Sequence, residues 1–310
     1  MAAALGVDIV TYPGPDAAPP GQRPLPVAFL YNGFQLNSGA YDAYASRLAS
    51  HGVVVLRYDT PFGKILTDTA ELPLSQLALE ALETQAAAGA LPGLEGGRVS
   101  EQSPLAAIGH SRGGKFVALQ LGAATSTLVD GRGRRRVISA AVMIDPNDSS
   151  RFTKDKPGYE SGVAALATTA LPVLVVGADV IGRCNPDGSN WKEFARAAPA
   201  GSWVEVVQGA GHLEFAEVSW AFRLLCPRGT TRPADAIERA LAPTVAAVLR
   251  GVADVAPEAC GLWDWVARET EAGTITWSET KDGGAPEGGH AVRVADGRQG
   301  IDAGEPASAK

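Results

Sequence analysis

The stretch of this sequence best suited to chemistry is Gly109-His110-Ser111-Arg112-Gly113-Gly114, a G-x-S-x-G pattern between an apolar run and a helix-compatible one. A serine on so sharp a strand-to-helix turn has strained backbone angles and is pushed out above the sheet. Gly109 and Gly113 are needed because the flanking positions sit against neighbouring strand and helix with no room for a side chain. The helix that follows aims its first N–H groups and its positive dipole end at any negative charge forming there. These are the requirements of a nucleophilic hydroxyl that generates an oxyanion. The same letters, Gly109 to Lys115, also spell the G-x-x-x-x-G-K of a phosphate-binding loop. Such a loop needs Ser or Thr next to hold Mg²⁺, and this chain has Phe116, so nucleotide binding is a distant second reading.

A serine hydroxyl is a poor nucleophile near neutral pH and needs a base, for which histidine is suited. Of four histidines, His110 is inside the turn and points away from the serine, His51 precedes a strand on the opposite side of the sheet, and His290 is in the tail. His212 remains, in the Gly-rich loop Gln208-Gly209-Ala210-Gly211-His212 at the carboxyl end of a strand, where α/β ligand sites form. The acid should lie between 111 and 212 at a strand's carboxyl end. Asp145 and Asp179 both qualify, and periodicity does not separate them. A second backbone donor for the oxyanion is expected from the loop Tyr31-Asn32-Gly33-Phe34-Gln35, so that the amides of Phe34 and Arg112 flank the developing charge.

Short β-branched runs alternate with longer helical ones, the pattern of a mostly parallel sheet with helices on both faces. Strands are predicted at 26–31, 53–58, 104–108, 137–144, 172–176 and 203–207, and helices at 41–50, 74–90 and 115–124. A late helix carries Ile237, Leu241, Val245 and Val248 at helical spacing, with Pro243 expected to kink it. With the serine turn in strand–turn–helix context, this is the α/β-hydrolase fold. We divide the chain into an N-terminal segment 1–24, a catalytic domain 25–255, and a partly flexible C-terminal extension 256–310 where the pattern fades.

Bulk properties narrow the function classes. At 45% hydrophobic and 20% charged, the 310 residues can bury a sizeable core. A net charge of −7 disfavours nucleic acid and anionic membrane as partners. The basic run Arg132 to Arg136 reads as a solvated loop. No apolar stretch is long enough to span a bilayer, which predicts a soluble protein. The N-terminus has neither a basic n-region nor the acidic-poor character of a transit peptide. Three cysteines, Cys184, Cys226 and Cys260, fit neither a disulfide framework nor a zinc ribbon, one disulfide is compatible with them, and no metal site is expected.

The segments GHSRGGKFVALQLGAA, AAVMIDPND, CNPDGSNWKEF and GAGHLEF, together with FLYNGFQLNSGAYDAYASRLASHGVVVLRYD, resemble the chlorophyllases over roughly residues 25 to 250. The resemblance implies hydrolysis of the ester joining chlorophyll to phytol, without a cofactor, by a triad of Ser111, Asp145 and His212. It selects Asp145, the aspartate of the IDP strand end, because Asp179 has no acidic counterpart in the family. It gives Cys184 and Cys226 a structural role, since the family has cysteines in those segments. Asn32 stands where relatives usually have His. Richness in Ala, Gly and Pro suggests an algal or bacterial relative, with a chloroplast location if algal and a cytoplasmic one otherwise, and the resemblance allows transient contact with pigment-bearing membranes. The expected partner is a tetrapyrrole ester, whose apolar macrocycle and tail call for an apolar pocket. Phe34, Leu36, Phe62, Ile181, Trp191, Phe215 and Trp220 lie in loops near the expected catalytic face. A general carboxylesterase or polyester hydrolase with the same triad is the alternative. A non-catalytic pigment- or lipid-binding protein is a more distant one, since binding alone needs no strained serine with a late histidine.

Overall fold

The computed structural model describes residues 7–10, 24–60, 65–95, 98–122, 127–129, 135–150 and 153–281. In chain order, β1 (Val7–Val10) and β2 (Val27–Tyr31) lead to α1 (Asp42–Ser50), β3 (Val54–Tyr58) and α2 (Asp68–Ala87). Then come β4 (Leu105–His110), α3 (Arg112–Gly122), β5 (Thr127–Val129), β6 (Arg135–Ile144), α4 (Gly162–Leu166), β7 (Leu174–Ala178) and α5 (Trp191–Ala197). The chain continues through β8 (Trp203–Val207), α6 (Trp220–Arg223), α7 (Pro233–Ala253), α8 (Leu262–Glu271) and β9 (Ile275–Glu279). The strands form one nine-stranded sheet in the order β1-β3-β2-β4-β6-β7-β8-β9, with β5 pairing β6 off this path. Neighbours from β3 through β8 are parallel. The pairs β1–β3, β5–β6 and β8–β9 are antiparallel. This is the α/β-hydrolase architecture expected from the serine turn.

The inner strands are apolar along their length because helices cover both faces. Along β2, Ala28 and Leu30 pack with Tyr44 and Leu48 of α1 and Ile237, Val245 and Val248 of α7. The alternate residues Val27, Phe29 and Tyr31 pack with Leu79 and Leu82 of α2 and Phe116 and Val117 of α3. Each such side chain, fully buried, contributes roughly 1.5–3 kcal/mol relative to exposure. α7 runs through Pro243 as one helix. α2 begins at Asp68, earlier than apolar spacing predicts, because its first turn is anchored by the carboxylates Asp68 and Glu71.

The sheet extends past both ends of the 25–255 segment. β1 joins through β3, and β9 joins through β8. Beyond 256, where apolar patterning fades, three indoles hold the chain: Trp203 lies 5.5 Å from Trp263 of α8 and 5.8 Å from Trp277 of β9, centroid to centroid. The expected tail beyond 281, with His290, lies outside the described residues, as do Arg132 and Arg134. The reading of the basic run as solvated needs correction at Arg136, which is buried. Its guanidinium pairs with Glu83 and donates to the carbonyl of Ser103 at 2.9 Å.

Glu205, in the middle of β8, points into the α7 side of the core between Trp203 and Val207, 0% exposed and with neither carboxylate oxygen hydrogen-bonded. Burial pushes its carboxyl well above the ordinary 4.5; Arg239 pulls the other way and Glu269 adds to the rise. The folded state therefore keeps a proton that the unfolded chain releases above about pH 4.5, so this residue lowers stability progressively as pH rises beyond that value. Glu205→Gln, which cannot ionise, is expected to unfold at a higher temperature than the native protein at about pH 8, with the gap closing toward about pH 4.5. Thermal melts across that range check it; a gap independent of pH would contradict a neutral Glu205.

Candidate active site

The turn between β4 and α3 holds Ser111 at φ +58°, in the left-handed region that favours glycine. The serine N–H donates to the carbonyl of Ile144 at 2.9 Å, fixing the turn against the end of β6. A Cβ on Gly109 would lie 2.2 Å from the carbonyl carbon of Gly113, and one on Gly113 would lie 2.2 Å from the carbonyl oxygen of Tyr31. Both glycines are thus required sterically, and the second contact shows that the end of β2 crosses directly over the start of α3. That crossing delivers the loop after β2 to the serine.

His212 opens a short 3-10 turn, His212–Phe215, after the Gly-rich loop that follows β8. Its Nε2 is 2.8 Å from Ser111 Oγ, and its Nδ1 is 2.5 Å from Asp145 Oδ2. An ionised carboxylate only accepts, so Nδ1 carries the proton and the bare Nε2 faces the hydroxyl. Asp145, at the end of β6, is fully buried with φ +39°. Its Oδ1 accepts from the Ala178 N–H at 3.0 Å, and its Oδ2 also accepts from Asn185 Nδ2 at 3.0 Å. Asp179 turns elsewhere: its Oδ2 accepts from the Gly209 N–H at 3.1 Å and braces the histidine's loop. The two acids left open by their positions at strand ends therefore separate, with Asp145 on the histidine and Asp179 as a loop brace.

The loop after β2 is anchored on several sides. Asn32 Nδ2 donates to the Tyr58 carbonyl at 2.9 Å and to Asp59 Oδ1 at 3.2 Å, so this residue ties the loop to the end of β3. Gly33 N–H donates to the Tyr41 hydroxyl at 2.9 Å. The N–H groups of Phe34 and Arg112 donate to no acceptor among the described residues. The Arg112 guanidinium sits 6.0 Å from the centroid of the Phe34 ring, which brings the two segments together. Two unpaired donors beside a serine, a histidine and a carboxylate can stabilise an oxyanion formed by attack of Ser111 on a carbonyl.

Charged residues behind the turn explain the letters around G-x-S-x-G. Arg112 pairs with Glu71 at 2.7 Å and with Asp68 at 2.9 Å, and Lys115 reaches Asp68 at 2.8 Å. Lys115 and Asp68 are buried, so the set is balanced only while each cation keeps its carboxylate. The network fastens the first turn of α3 to the first turn of α2. Sequence reasoning missed Asp68, Glu71, Tyr41 and Asn185. The acidic start of α2 was a usable signal for the first two. Asn185 had one too, since it adjoins Cys184, whose disulfide to Cys226 ties this loop to the segment after α6.

The expected pocket residues divide. Phe34 is 46% exposed beside the serine turn, and Trp220 is 74% exposed on α6. Leu36 lines a cavity of about 340 Å³ together with Gln35, Ala40, Val218 and Phe222. Ile181 is half-buried in the loop that carries Asn185. Two others pack elsewhere. Phe215 is fully buried in the α7-side core. Trp191 lies flat against Gly177 of β7, where a Cβ would meet its ring at 2.4 Å, and donates Nε1–H to the Ala178 carbonyl at 2.8 Å. Position in a loop near the catalytic face does not fix where a side chain points, and both rings found apolar surface beneath the sheet ends. Phe62 lies outside the described residues.

Among the described residues no His, Cys, Asp and Glu cluster could hold a metal ion, and no helix is long and apolar enough to cross a membrane. A comparison with curated proteins finds no match. A family model described as Chlorophyllase matches residues 17–259, which includes the serine turn, Asp145, His212 and every strand from β2 to β8. With its α/β fold and this match over most of its length, the chain is an esterase-type hydrolase and belongs to the chlorophyllase family.

Proposed function

We propose that the protein hydrolyses the phytol ester of chlorophyll or a related tetrapyrrole, releasing chlorophyllide and phytol through an acyl-enzyme on Ser111. The observation that carries this reading is the continuous hydrogen-bonded line from Ser111 Oγ through His212 to Asp145, in a member of this family. His212 Nε2 takes the hydroxyl proton as Oγ attacks the propionate ester carbonyl, and Asp145 holds the imidazole in the tautomer that can accept it. The N–H groups of Phe34 and Arg112 and the positive end of α3 stabilise the tetrahedral oxyanion. Collapse breaks the bond to the phytyl oxygen, which leaves with the proton from His212. Water, deprotonated by His212, then attacks the acyl carbon; the bond to Ser111 Oγ breaks, His212 returns the proton to Oγ, and the pigment leaves as the free acid.

All these groups lie within 25–255, which we take as the catalytic segment. The cavity beside Leu36, about 340 Å³, is at the low end for small-molecule sites. It would take one part of such an ester, with Phe34 and Trp220 offering apolar surface to the remainder. The test is incubation with purified chlorophyll in detergent, with products separated by chromatography: a polar green pigment and free phytol are expected, and unchanged chlorophyll would overturn the substrate assignment.

A further inference from the structure

His110, the residue before the nucleophile, is buried and takes no direct part in the chemistry above. Its Nε2 is 3.0 Å from the carbonyl oxygen of His212, and its Nδ1 is 2.8 Å from the hydroxyl of Tyr41. That hydroxyl in turn accepts the N–H of Gly33 at 2.9 Å. Donor and acceptor roles are forced along this chain. A carbonyl only accepts, so His110 Nε2 must carry hydrogen. The Gly33 N–H only donates, so the single proton of Tyr41 is free to point at a bare His110 Nδ1. One neutral tautomer satisfies every group, and burial, reinforced by the neighbouring His212, holds the His110 pKa well below the ordinary 6.5. Packing leaves no slack: a Cβ on Gly33 would sit 3.1 Å from both His110 Nδ1 and the Tyr41 hydroxyl.

The chain joins two pieces of the site that sequence separates widely. At one end is the residue before Phe34, and at the other is the backbone of His212. We infer that Tyr41 and His110 are positioning residues that lock the oxyanion loop to the backbone of His212, so that the Phe34 donor and the proton acceptor keep one fixed geometry about Ser111. This rests on the proposed roles of Ser111, His212 and Phe34. Phe34 N–H is used chiefly once the carbonyl oxygen becomes an oxyanion, so a loosened loop lowers turnover more than ground-state binding.

The experiment measures kcat and KM for p-nitrophenyl butyrate with Tyr41→Phe, His110→Phe, the double variant and Ser111→Ala. Each single change is expected to lower kcat about 10- to 100-fold, as displacement of a catalytic group by about 1 Å does, with KM within about twofold. Because both residues serve one chain, the double variant should be no slower than the slower single one. Multiplied effects, or unchanged kcat, would overturn the inference, since independent packing losses combine additively in free energy. Tyr41→Phe keeps the ring and removes only the hydroxyl, so it stands as a test even if His110→Phe does not fold. Ser111→Ala separates the two levels of the account. Hydrolysis that survives it removes the underlying reading, whereas its loss alongside a fully active Tyr41→Phe removes the positioning chain alone.

Discussion

Ser111→Ala is expected to lower kcat for ester hydrolysis by about 10⁶ while leaving the fold intact, the size of loss seen when the triad serine of a serine protease is removed. Among the described residues the hydroxyl makes one hydrogen bond, to His212 Nε2 at 2.8 Å, and both partners are buried. Alanine meets the same left-handed backbone constraint that serine already bears at φ +58°. The stability change should therefore stay within about 3 kcal/mol, the cost of leaving one buried nitrogen without its partner. Covalent labelling by an organophosphate should vanish with activity. Labelling that persists at another serine would move the nucleophile elsewhere.

Asp145→Asn should lower kcat by about 10⁴, and Asp179→Asn far less. Three donors converge on the Asp145 carboxylate: the Ala178 N–H, Asn185 Nδ2 and His212 Nδ1. An asparagine amide must turn its NH₂ toward at least one of them. Facing Ala178 it leaves two backbone and side-chain hydrogens opposed in a buried site. Facing His212 it donates to Nδ1, which forces the imidazole proton onto Nε2, where it meets the serine hydroxyl and can no longer accept its proton. Asp179 loses only one of two acceptor atoms, and the oxygen that remains can turn to the Gly209 N–H. Turnover and circular dichroism on both variants check this; the reverse ranking would place the acid one strand later.

What the sequence made legible follows from range. The serine turn is a local device, so Gly109, Ser111 and Gly113 and the strand and helix that flank them could be read from a dozen residues. His212 was reached because its three competitors sit in the wrong part of the chain. The choice between Asp145 and Asp179 is different: both end adjacent parallel strands, β6 and β7, and only the register of those strands with β8 decides which faces the histidine. The resemblance to a family selected Asp145 where periodicity was silent. Tyr41, His110 and Asn185 act through hydrogen bonds between residues 40 to 102 positions apart, and such bonds leave no periodic trace. α8 and β9 were missed because their packing depends on three tryptophans meeting from separate elements, and β1 because it is four residues long. Side-chain direction in loops was the least legible feature, as Trp191 and Phe215 illustrate.

The central claim, a serine esterase shaped for a tetrapyrrole ester, is tested most directly by comparing kcat/KM for chlorophyll and p-nitrophenyl butyrate on one preparation, with and without chlorophyllide. Binding a macrocycle away from the scissile bond supplies orientation that a short ester lacks. The account predicts a higher kcat/KM for chlorophyll, a high KM for the butyrate, and competitive inhibition of butyrate cleavage by chlorophyllide. Faster cleavage of the butyrate, unaffected by added pigment, would contradict it and leave a general carboxylesterase.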